Sequence, residues 1–220
     1  MPAFRLKLKV TDPTFIIERR LRTAISDKIN LAANIAAKKV RPHLKQLIED
    51  AILNAPETKS LFGGELQGEL GATDTEISSA INNIIDKIIN NINISVVNFT
   101  PFGNVMRGSI VISIFPFSLT DELISFTNAS FLTKQGTQIP WLEWLLTLGD
   151  KIIVRRYAVD FLNTRGSRTG LATMTPIKSK GWRVPPQFSG TTYNNFITRS
   201  LDDIADLVMY YLKLEFIRAI

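Results

Sequence analysis

The chain has 220 residues, with 26 Lys and Arg against 20 Asp and Glu, one His and no Cys, and carries a formal charge of +6. Zero Cys excludes disulfides, thiolate zinc sites, iron–sulfur clusters and cysteine nucleophiles, and one His leaves a single imidazole for general-base work. At 45% hydrophobic and 21% charged residues the composition is that of a globular protein, and the length suits a single domain, 1–220, with a real core.

Phe4, Leu6, Leu8 and Val10 alternate with Arg5, Lys7 and Lys9, the pattern of a half-buried strand and not of a signal-peptide core. No apolar run approaches the ~18–20 residues of a membrane span, so a soluble protein without an export signal is expected. After Asp12-Pro13-Thr14, apolar residues from Ile17 through Leu21, Ile25, Ala32, Ala36, Val40, Leu44 and Ile48 to Ala51 fall on one helical stripe. Pro42 interrupts this stripe without changing its phase, which predicts one long helix kinked near Pro42, or two nearly in line. Ala32, Ala33, Ala36 and Ala37 make one part of it thin enough for close approach by another element. Asn54-Ala55-Pro56 ends the helix.

The glycine-rich stretch Leu61–Gly71 lacks the Lys-Ser/Thr pair of a phosphate loop, and its glycines argue against helix. A second helix begins at Thr75, with Ile77, Ile81, Ile84, Ile85, Ile88, Ile89 and Ile92 as its apolar face. Ile94–Phe99 and Gly108–Phe115 read as strands, separated by turn chemistry at Thr100–Asn104 and closed by Pro116. Residues 121–133 carry no decisive pattern. Trp141–Leu148 reads as a short helix ended by Gly149, and Lys151–Phe161 with Thr169–Thr175 as a hairpin around the loop Asn163–Arg168. Gly181–Gly190 reads as an extended Pro-Pro segment and Asn195–Arg218 as a closing amphipathic helix. The fold class expected is α+β: a long N-terminal helix and further helices packed on one antiparallel sheet, with a C-terminal helix closing the chain.

Charge is segregated along the chain. Residues 1–45 hold 11 basic and 3 acidic side chains, 46–150 hold 4 and 12, and 151–193 hold 8 and one. Such blocks can attract one another within a fold or between neighbouring copies. His43 lies in a helix with nothing to mark a nucleophile nearby, and adjacent carboxylates such as Asp202 and Asp203 point apart on a helix. No catalytic residue, cofactor site or metal site is therefore expected, and the chain reads as a non-enzyme. Arg155, Arg156, Tyr157, Arg165, Arg168, Lys178, Lys180, Trp182 and Arg183 combine cations with aromatics, as in grooves that track a nucleic-acid backbone. Strand alternation would place Arg155 and Arg156 on opposite faces, and no helix-turn-helix, zinc-finger or RNP-like motif accompanies them.

Three segments together resemble virion structural proteins of tailed bacteriophages: Leu66-Gln67-Gly68-Glu69-Leu70-Gly71; Trp144–Asp150 running into a strand followed by Ser167-Arg168-Thr169-Gly170; and Gly181–Thr191, which contains Trp182-Arg183-Val184-Pro185-Pro186-Gln187-Phe188. The chain order is similar to that of the neck and tail-completion proteins of the head–tail junction. In that family a long helix, an Ala-Pro, a Thr/Gly-Leu segment, an antiparallel sheet, a Pro-Phe motif and a closing helix follow one another. Ala55-Pro56, Gly64-Glu65-Leu66 and Pro186-Gln187-Phe188 stand in those places here, the last with one residue inserted.

The resemblance implies a non-enzymatic subunit of a homo-oligomeric ring around the DNA channel, made in the host cytoplasm and located in the virion. Its implied partners are other copies of itself, the portal or adaptor, tail-tube or sheath proteins and, without sequence preference, genomic DNA; no membrane is implied. Alternatives are a tail terminator capping the tail tube and, in another class, a monomeric sequence-independent nucleic-acid-binding module. The interface or DNA-channel candidates are Arg155, Arg165, Arg168, Trp182, Arg183 and Phe188. Trp182 and Phe188 either dock on a neighbour or cap the chain's own core. Arg165 and Arg168 either reach DNA or an adjacent ring, or lie solvated at a loop tip.

Overall fold

Helix α1 (Thr14–Asn54) passes through Pro42 as one uninterrupted element in the computed structural model, which describes residues 12–103, 105–114, 128–133, 136–149 and 151–220. The expected strand Phe4–Val10, the end of the second strand at Phe115-Pro116, and 121–127 of the undecided segment lie outside these residues. The rest is α2 (Pro56–Leu61), α3 (Glu65–Leu70), α4 (Asp74–Asn90), β1 (Ile92–Phe102), β2 (Val105–Ile114), β3 (Phe131–Leu132), β4 (Gln138–Ile139), α5 (Trp141–Thr147), β5 (Val154–Asp160), β6 (Thr173–Trp182), α6 (Phe196–Asp203) and α7 (Ala205–Ala219). The class is α+β. Among the described residues the expected single sheet is instead divided into three two-stranded ladders, β1–β2, β3–β4 and β5–β6.

The described residues form two compact units, one drawn from 12–40, 94–103, 105–112 and 211–220 and the other from 41–93, 113–114, 128–133, 136–149 and 151–210. In the first, Ala32, Ala33 and Ala36 of α1 are completely buried, as their small size suggests. The stripe fails further upstream. Leu21 and Ile25 are 57% and 50% exposed, with Phe15 and Leu31 exposed beside them, while Ser26 is buried in their place. Ser26 is drawn inward by β1: its hydroxyl donates to the Phe99 carbonyl. Asn30 holds the same residue at both ends, accepting from the Phe99 N–H at 2.6 Å and donating to its carbonyl at 3.1 Å.

A two-stranded ladder leaves the outer edge of each strand with unpaired backbone groups, and the Asn30 amide satisfies one residue of that edge as a further strand would. Asn30→Leu is expected to cost about 1–3 kcal/mol by leaving the Phe99 N–H unpaired, while the Phe99 carbonyl keeps the Ser26 hydroxyl. Urea denaturation measures it, and an unchanged midpoint would show that the clamp contributes nothing. No described strand pairs with this edge of β1, so the missing N–H of Pro101 breaks no ladder bond among the described residues and β1 runs on to Phe102, past the expected stop. Gly103, directly after β1, takes a left-handed backbone at φ 56°.

The second unit is built on α4, whose Ile77, Ile81, Ile84 and Ile88 are fully buried together with Leu44, Ile48 and Ile52 of α1, Trp141 and Leu142 of α5, and Phe196 of α6. α4 starts in a capping box: Thr73 and Glu76 satisfy each other's backbone donors. Ile92, expected on this helix, opens β1 instead. Asn195 caps α6 by accepting from Ile197 and Thr198.

The expected closing helix is two helices broken at Ile204. Asp202 and Asp203 in the last turn of α6 oppose its dipole, whereas Asp206 falls in the first turn of α7, where negative charge is favourable.

Candidate functional site

Three of the four glycines of Leu61–Gly71 (Gly63, Gly64 and Gly71) fall at helix ends, and Gly68 lies buried within a helix. α3 occupies Glu65–Leu70 between Gly64 and Gly71, and Gly71 terminates it at φ 68°, a left-handed backbone that glycine adopts without cost. Glu65 and Glu69 therefore stand one turn apart. Trp182, the last residue of β6, donates its indole N–H to Glu69 Oε2 at 2.8 Å and packs on Trp144 of α5, ring centres 5.6 Å apart. Gln187 reaches Glu65 Oε2 at 3.0 Å. Burial pushes the Glu69 carboxyl up to about 7; the indole bond works against this shift and the Glu65 charge adds to it.

Arg168 closes the other side. Its guanidinium donates to the Gly71 carbonyl at 3.0 Å and to Glu76 Oε1 at 2.8 Å, and lies 3.7 Å over the Phe131 ring. Burial tends to raise the Glu76 carboxyl as well, but the Arg168 and Thr73 hydrogen bonds and the Arg168 charge outweigh it and hold the group below its usual value. Between these groups opens a cleft of about 470 Å³ whose lining includes Glu69, Phe131, Trp144, Arg168 and Met174. The segments that carry the phage resemblance, far apart in sequence, meet here.

The expected site residues divide accordingly. Trp182 is 5% exposed and is spent within the chain's own core. Arg168 is bound inward, so it does not project from the loop. Phe188 is half-buried in the turn that its N–H closes onto the Pro185 carbonyl. Arg155, Arg165 and Arg183 are exposed. Of these residues only Arg168 lines the cleft; Trp182 stands behind it, bonded to the lining residue Glu69, and Arg155, Arg165, Arg183 and Phe188 lie outside the lining. Glu69 is not among the expected interface residues, although its spacing of four from Glu65 is visible in the sequence, and the glycines around the pair argue against the helix that brings them one turn apart.

The hairpin differs from its expected form in the same region. β6 continues from Thr173 to Trp182, so Gly181-Trp182 is strand and not part of an extended Pro-Pro segment. Tyr157–Asp160 pair with Pro176–Thr173, and Val154-Arg155 with Trp182-Gly181. Between these stretches the register shifts: Arg156 alone stands against residues 177–180. Arg156 at φ 60° and Lys180 at φ 68° occupy the left-handed region, which costs a non-glycine residue about 1–2 kcal/mol. Gly181 is fixed by its neighbours, since a Cβ there would strike the Val154 carbonyl and lie 2.9 Å from the Arg155 Cα.

Among the described residues no group of three or more His, Asp or Glu side chains is placed to hold a metal, and no helix is long and apolar enough to cross a membrane. No protein-family model matches the chain, and no curated protein or solved structure shows significant similarity to it.

Proposed function

We propose that the chain is a structural virion protein of a tailed phage, a neck or tail-completion subunit without enzymatic activity that forms part of a ring at the head–tail junction around the DNA channel. The observation that carries this reading is the convergence of the resembling segments: Glu69 on Trp182, Arg168 on Gly71 and Glu76, and Gln187 on Glu65. Motifs separated by about a hundred residues act as one packed unit, as expected if they preserve a shared architecture rather than separate reactive sites.

A ring requires unlike faces that close head to tail, and the opposite net charges of the 1–45 and 46–150 blocks support that reading. Phe15, Leu21, Ile25 and Leu31 expose apolar surface on α1 of the kind that subunit contacts cover. The test is genetic and structural together. Phage lacking the chain are expected to accumulate filled heads and finished tails that do not join, visible by negative-stain microscopy. Normal joined particles without the chain would contradict the reading.

A further inference from the structure

We propose that the bulge between β5 and β6 is a binding site for a phosphodiester backbone, held by Arg155, Arg156, Lys178 and Lys180. The inference deepens the proposed function and rests on it only for the choice of DNA as the polyanion. All four side chains are exposed, and no ion pair among the described residues joins any of them to an acid. The only acid between Lys151 and Arg183 is Asp160, at the far end of β5 opposite Thr173.

The bulge concentrates charge in a way a regular hairpin would not. Regular alternation sends Arg155 and Arg156 to opposite faces. The left-handed turn at Arg156 breaks that alternation, and the excursion of 177–180 brings Lys178 and Lys180 against the same short length of β5. Four like charges on a few residues of ladder repel one another, and two of them sit in a backbone conformation that non-glycine residues avoid. Such a cluster is retained when a ligand supplies the missing negative charge. Lysine is depleted from the cores of protein–protein contacts, whereas Lys and Arg supply most phosphate contacts. Exposed Tyr157 flanks the cluster with an aromatic face.

The test uses the full chain and a mixed-sequence DNA duplex of about 30 base pairs, followed by fluorescence anisotropy between ~50 and ~200 mM salt. Four phosphate contacts predict a log–log salt slope of about −3.6, an affinity loss of roughly 150-fold over that range. The variant Arg155→Gln/Arg156→Asn/Lys178→Gln/Lys180→Asn removes the charges while placing at 156 and 180 a residue that tolerates the left-handed region. Its slope is expected to fall to near zero. Arg155→Gln/Lys178→Gln, which leaves both left-handed positions untouched, should lose about half of the slope and settles the matter if the fourfold variant does not fold.

A matched loss of four exposed cations elsewhere, Lys28, Lys38, Lys45 and Lys59 to Gln, should leave most of the slope intact. Equal loss in that control, no duplex binding by the parent, or equally effective displacement by polyglutamate would overturn the site. Unchanged DNA binding in the fourfold variant, with the chain still at the head–tail junction, overturns the site and leaves the proposed function standing. Binding at the bulge by a chain absent from the particles does the reverse.

Discussion

Trp182→Ala is expected to destabilise the protein by about 3–5 kcal/mol, the usual loss when a large aromatic is removed from a core. Trp182 is 5% exposed, packs on Trp144, pairs with Val154 across the hairpin and supplies the indole donor to Glu69. Alanine would leave a cavity beside Trp144 and the Glu69 carboxyl without its partner. Trp182→Phe keeps most of the packing and loses only the donor, so about 1–2 kcal/mol is expected. Tyr193, at 91% exposure, provides the contrast: its replacement by alanine should be close to neutral. Urea denaturation of the three variants measures the order. A cost below about 1 kcal/mol for Trp182→Ala would show that the cluster does not hold this unit together.

Glu69 and Glu76 give the same unit opposed pH dependences. Glu69 is raised from 4.5 to about 7 in the folded chain, so folding favours its protonated form. The stability it contributes is fully present below about pH 4.5 and is lost as the pH rises through about 7. Glu76 is lowered, so its contribution is present above the unfolded value of 4.5 and disappears as the pH falls through its folded value. Stability should therefore decline between pH 5 and 8 through Glu69, since Glu76 is ionised in both states over that range.

Glu69→Gln keeps an acceptor for the Trp182 indole and removes the titration. It is expected to flatten this decline and to stabilise the protein at about pH 8 by ~1–2 kcal/mol, a figure reduced for the half-exposed carboxyl. Thermal unfolding across the pH series measures both effects. A parent and variant that decline in parallel would show that the Glu69 carboxyl is not the group responsible.

The elements most legible in the sequence are those whose periodicity is long and whose ends are chemically marked. The isoleucines of α4 repeat on one face for four turns and end at the Asn run, so type and extent are both readable, apart from Ile92. Alanines 32, 33, 36 and 37 announce close packing, and they are buried. Periodicity does not tell which side of a helix a partner chooses. Leu21 and Ile25 fit the stripe, yet three hydrogen bonds with the Phe99 backbone turn Ser26 and Asn30 inward in their place.

Short helices between glycines are illegible for a similar reason. α3 is held by Trp182 and Gln187, both more than a hundred residues away, and not by its own propensity. The register shift in β5–β6 leaves no trace in composition beyond Gly181, which reads equally well as a turn. In the candidate site, the charge of Arg155 and Arg165 is visible from sequence, but the inward engagement of Arg168 depends on Gly71, Glu76 and Phe131.

Cryo-electron microscopy of purified particles carrying an epitope-tagged copy of the chain, with antibody fragment bound, tests the central claim most directly. The account predicts a closed ring of label at the head–tail junction, encircling the channel with one fragment per subunit. Label at a single point, along the tail or on the head, or none on the particle, would contradict it.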